Sequence, residues 1–144
     1  MQTARQHQDR ANSRLHLEPL MARLAAERVK SGVAWSAQES AQSTEVDAEG
    51  RRDFHFTVAK FADDPVLLLF AHALRDITED ISRGQRLPAV ADADRNIAHA
   101  DIEKAIAEGK PTKAEELMRG HIEKYTELIA THSPHLLNQV IDWA

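Results

Sequence analysis

Apolar residues recur at helical spacing along most of the chain. From about Ala11 to Lys30 one face carries Leu15, Leu17, Leu20, Met21, Leu24 and Ala25, and Ser31-Gly32 supplies a stop. Residues 33–45 are weakly patterned and fit a short helix or a loop equally well. A second helix is predicted from about Val46 to Ala62, with Phe54, Val58 and Phe61 as its most apolar stripe and His55 beside it. Asp64 suits an N-cap and Pro65 the first position of a third helix running to about Ser82. That helix carries Val66, Leu67, Leu69, Phe70, Leu74 and Ile77. It is apolar around much of its girth, which predicts a central place.

Gly84 and Pro88 mark a connection. The next helix is predicted from about Asp92 to Glu108, with Ile97, Ala98, His99, Ile102, Ala105 and Ile106 on its inward face. Gly109 ends it and Pro111-Thr112 opens another. Its stripe is Ala114, Leu117, Met118, His121, Ile122, Tyr125, Leu128 and Ile129. Ser133-Pro134 breaks the chain, and Leu136 to Trp143 fits a last short helix. No β-type alternation competes, and no internal repeat is visible. The pattern predicts an all-α antiparallel bundle of six to seven helices. Residues 1–10 read as a flexible lead-in and 11–144 as one domain.

Composition narrows the class. The 144 residues suffice for one domain with a proper core, and few glycines and prolines (five of each) favour helix throughout. A net charge of -5 argues against this segment gripping DNA unaided. Without cysteine there is neither a disulfide framework nor a thiolate metal site. No apolar run approaches the length of a membrane span and the N-terminus lacks a signal-peptide core, so a cytoplasmic location is expected.

Three histidines stand out against this background. His55, His99 and His121 each lie on the apolar face of a different predicted helix. A buried imidazole needs partners for both ring nitrogens, and neutral imidazole is the commonest metal ligand. The residues alone leave two readings open. Each histidine is a core residue bonded to a neighbour, or the three converge on a metal inside the bundle. In the second case three neutral ligands leave the metal charge uncompensated, and an anion should complete the shell.

The segments around these histidines carry a resemblance. RLHLEPLMARLAAER stands upstream of RRDFHFTVAKFADDPVLLLFAHAL, and IAHADIEKAIAEGK and AEELMRGHIEKY follow. In order and spacing over residues 11–130 these resemble the FCD domain, the C-terminal effector-binding domain of FadR-type GntR transcription regulators. The matching elements are Arg14 with Leu17-Glu18, Leu24 to Arg28, Phe54-His55, Asp64-Pro65, His99 to Ile106 with Gly109, and Met118 with His121. The resemblance implies a helical bundle holding a small carboxylic acid effector in a central cavity. It also implies a divalent metal (Zn, Ni or Mn) on His55, His99 and His121, together with an acidic or amide residue one turn before His55.

That last position is Arg51. Asp53 does not substitute on a continuous helix, because a residue two before His55 points about 160° away from it. Asp47 lies two turns back, and Glu103, one turn after His99, is the nearest local substitute. Two outcomes stay open. In one the metal is lost, and Arg51 with the histidines binds a carboxylate directly. In the other, metal stays on three histidines and the effector or water completes the shell. Arg14 and Tyr125 are the other candidate effector-binding residues.

By this resemblance the chain is a sensory, non-enzymatic domain that forms homodimers. DNA is contacted through a winged helix-turn-helix that these residues lack, so the chain reads as a fragment or a stand-alone domain. The rival readings are a small histidine-ligated metalloenzyme and a purely structural dimerisation domain with a degenerate pocket.

Overall fold

A computed structural model describes residues 3–36, 53–83 and 89–132, and the side-chain surroundings of 13–36, 53–74 and 93–132. Five α-helices make up the described residues: α1 Thr3–Lys30, α2 Phe54–Ala62, α3 Pro65–Arg83, α4 Ala89–Ala107 and α5 Pro111–His132. The expected all-α class is found. The stretch from Leu136 to Trp143 lies outside the described residues, as do residues 37–52.

Local chemistry explains the ends. At the C-terminus of α1, Gly32 takes φ +108°, its N–H donates to Val29 O at 2.9 Å and Val33 N–H donates to Arg28 O at 3.2 Å. The turn between α4 and α5 repeats the device. Gly109 takes φ +62°, its N–H donates to Ile106 O at 2.9 Å and Lys110 N–H donates to Ala105 O at 3.0 Å. Asp64 caps α3 as expected, its Oδ1 accepting from Val66 N at 2.9 Å and Leu67 N at 3.0 Å. Helix α1 starts eight residues before the predicted onset, because TARQHQDRAN holds no Gly or Pro to stop it.

Two packing expectations are corrected. Helix α3 is not central, since Val66, Leu69 and Phe70 are 62%, 69% and 48% exposed, and Leu67, Ala71 and Leu74 form its buried side. The central helix is α1, which packs on all four others. Its face of Met21, Ala22, Ala25 and Ala26 is fully buried, and the small alanines let neighbours approach closely. Ile97, expected inward, is 62% exposed, while Ile102, Ala105 and Ile106 on the same helix are buried. Val58 and Ala59 of α2 and Ala114, Met118 and Ile122 of α5 complete this core.

Pro19 lies inside α1 and is fully buried. Having no N–H, it leaves the Leu15 carbonyl without its helical donor. Arg119 on α5 fills the gap, its Nη1 donating to Leu15 O at 3.1 Å. The irregularity in α1 is thereby tied to α5 within one turn of His121.

Candidate functional site

The second helix begins later than its pattern predicts. Asp53 is its N-cap, in extended conformation at φ -71°, ψ 102°, and its side chain accepts from Phe56 N at 3.1 Å. The helix that bears His55 therefore starts at Phe54. With Asp53 as the N-cap, helical phase neither sets residue 51 one turn before His55 nor excludes Asp53 by angle. Arg51 and Asp47 lie outside the described residues. The C-terminal end of α2 is held by Arg28 of α1. Its Nη1 donates to Phe61 O at 2.9 Å and its guanidinium lies 5.0 Å from the centre of the Phe61 ring. Helix α2 is thus short, capped at one end and clamped at the other, and His55 sits in its first turn.

His99 stands about two turns before the end of α4, and His121 about three turns into α5, so the antiparallel hairpin brings them to similar depth. His55 reaches the same point from α2. His99 Nε2 is 3.1 Å from His121 Nε2, and His121 Nε2 is 3.3 Å from His55 Nε2. The rings are packed as well as convergent. Phe54 stacks on His99 with centroids 4.1 Å apart, and His55 stacks on His121 at 5.2 Å.

These distances fit a divalent ion. Ligand nitrogens about 2.0–2.1 Å from a common metal stand about 3.3 Å apart in tetrahedral geometry and about 3.0 Å apart at right angles. Without an ion, the single in-plane site of His121 Nε2, either a proton or a lone pair, must serve two neighbouring ring nitrogens at once. One ligand atom from each residue lies within 4.8 Å of the others, and among the described residues this is the one such group of histidines and carboxylates. Glu103 does not join it. Its Oε1 instead accepts from Trp35 Nε1 at 3.0 Å.

A buried ion pair flanks the triad. Glu18 on α1 is 5% exposed, and its Oε1 accepts from Arg14 Nε at 2.6 Å, its Oε2 from Arg14 Nη2 at 3.3 Å. Glu18 Oε2 also lies 2.7 Å from His55 Nδ1, a charge contact set off the direction of the ring N–H. Arg14 in turn rests over the Tyr125 ring, 5.6 Å from its centre. A small pocket opens here, lined by Arg14, Glu18, Asp53, His55 and Phe56 together with Met21, Ala71 and Leu74. It touches His55 but neither His99 nor His121.

The electrostatics follow from burial. Removal from water, reinforced by the neighbouring imidazoles, pushes the His99 ring down to about 2 and that of His121 down to about 3. Both are neutral at physiological pH, the form that binds metal. Burial opposes the charge on Glu18, but Arg14 and then His55 outweigh it and hold the carboxyl well below its usual range. The same opposition acts on Arg14, where the attraction of Glu18 outweighs burial and raises its pKa.

The three histidines and Arg14 were legible in the sequence, and the structure draws them together. Tyr125 also lies beside Arg14. Glu18 is the site residue that the sequence pattern does not single out, although it sits one turn after Arg14 on a face otherwise carrying Met21 and Ala25. A charged pair in phase with a core stripe was the available signal.

The chain matches the FCD domain family over residues 9–124. It belongs to that family, the effector-binding domains of GntR-type regulators. No curated protein and no solved structure matches the chain. No helix among the described residues is long and apolar enough to cross a membrane.

Proposed function

We propose that this chain senses a small carboxylate effector in a site that also holds a divalent metal (Zn, Ni or Mn) on His55, His99 and His121. The observation that carries the reading is the convergence of three Nε2 atoms at 3.1 and 3.3 Å. The charge balance supports the anion. The imidazoles of His99 and His121 are neutral, and Glu18 is already compensated by Arg14. A dication bound there lacks an anionic protein ligand, so a carboxylate effector is the natural completion of its shell. Arg14, on the pocket wall, and Tyr125, beneath it, face the effector in this reading. Arg51 is a further candidate cation for the same anion.

The domain works as a homodimer in the cytoplasm, and a winged helix-turn-helix of the same regulator contacts DNA. The effector shifts the balance between two arrangements of those DNA-binding domains only by its differential affinity for them.

Metal analysis of protein purified without a polyhistidine tag tests the first half. Near-stoichiometric Zn, Ni or Mn, or a rise in melting temperature on adding them, is the expected result. Less than about 0.1 equivalent with no thermal response overturns the metal site. A panel of small carboxylates read by melting temperature tests the second half, and a flat response to every acid overturns the sensor.

A further inference from the structure

The geometry points to Glu18 as the positioning residue for His55, held in place by Arg14, an inference that rests on the metal reading above. An imidazole offers Nε2 to a metal only when its proton sits on Nδ1. His55 Nε2 lies 3.3 Å from His121 Nε2, and its Nδ1 lies 2.7 Å from Glu18 Oε2, with the carboxylate off the line of the ring N–H. A carboxylate at that distance favours, through its charge, the tautomer that carries the proton on Nδ1. Glu18 is not itself a ligand, since it meets the ring on the opposite edge from the point of convergence.

Burial makes the arrangement effective. The Glu18 side chain is 6% exposed, so its charge acts on the imidazole with little water between them. An isolated carboxylate in that setting would be costly, and Arg14 offsets the cost with contacts at 2.6 and 3.3 Å. Arg14 and Glu18 lie one turn apart on α1, and Arg119 secures α1 to α5 through the Leu15 carbonyl. The chain from Arg14 to Glu18 to His55 thus orients an imidazole at a site whose three candidate ligands include no acid.

The test has two arms, Co(II) as the metal probe and nitrogen-15 NMR of the imidazoles in metal-free protein. Glu18→Gln is nearly isosteric but uncharged. It is expected to weaken Co(II) binding by about 10- to 100-fold and to let His55 populate its Nε2–H tautomer. Should the lone charge on Arg14 unfold that variant, Arg14→Gln with Glu18→Gln removes both charges and should show the same two changes. Co(II) binding within about threefold of wild type in either folded variant overturns the proposal. So does a wild-type His55 carrying its proton on Nε2. If wild type binds no Co(II), the metal reading fails by itself, and the tautomer of His55 in wild type and variant still decides whether Glu18 holds the ring.

Discussion

The ring of Phe54 lies nearly flat against that of His99, centroids 4.1 Å apart and planes 17° from parallel. Phe54 is the first residue of α2, so the residue that starts the helix bearing one histidine also braces a second histidine on α4. Phe54→Leu keeps much of the apolar volume but removes the stack. It should cost about 1 kcal/mol of stability and loosen metal binding by freeing the His99 ring. Phe54→Ala should cost about 3–5 kcal/mol. Urea unfolding of metal-free protein and a Co(II) titration measure the two effects, and unchanged Co(II) affinity in Phe54→Leu would show that the stack does not orient His99.

Arg119 supplies the donor that Pro19 cannot. Arg119→Met should lose about 1–2 kcal/mol, because the Leu15 carbonyl then has no helical donor and no charged side chain to replace it. Combining it with Pro19→Ala, which restores an N–H to α1, should recover part of that loss. A double-mutant cycle by chemical denaturation checks the coupling, and strictly additive effects would refute it.

Acid should unfold the metal-free protein in two stages. His99 and His121 titrate near 2 and 3 when folded but near 6.5 when unfolded, so the unfolded chain takes up protons first. Their contribution is complete above about pH 6.5 and declines as pH falls below it, at up to about 1.4 kcal/mol per pH unit for each ring. Glu18, depressed in the folded state, adds a further loss once the pH drops below about 4.5. Melting temperature followed from pH 7.5 to 4 should fall most steeply below pH 6.5. Replacing His99 with Gln should flatten that segment of the curve.

Gly109 closes the hairpin that sets His99 beside His121. Its φ of +62° disfavours any side chain, and a Cβ there would stand 3.2 Å from the Lys30 backbone nitrogen of α1. Gly109→Ala should therefore destabilise by about 1–2 kcal/mol. Gly32 stands at φ +108°, outside the left-handed well but with open space around it, so Gly32→Ala should cost backbone strain alone. Comparing the two by thermal denaturation separates strain from crowding.

Much of this architecture was readable from residue order, because helix caps and apolar phase are local. Asp64-Pro65 opens α3, Gly32 and Gly109 close α1 and α4, and His55, His99 and His121 ride in phase with buried neighbours. Each of these depends on a few adjacent residues and on the 3.6-residue period alone. Which faces found partners was not local. Val66, Leu69, Phe70 and Ile97 have the pattern of core residues, yet α1 rather than α3 occupies the middle, and their sides of the helices meet no other described element closely enough to cover them.

The site divides along the same line. The sequence by itself determined that three imidazoles would lie on inward faces, since helical phase assigns them there. Only the tertiary structure decided that His121 Nε2 stands 3.1 Å from His99 Nε2 and 3.3 Å from His55 Nε2, because that depends on how three helices cross. It also decided which acid serves the site. Asp53 caps α2 at Phe54, and packing of α1 on α2 sets Glu18 against His55 across 37 residues of sequence. A carboxylate delivered by a different helix leaves no periodic trace beside the histidine it contacts.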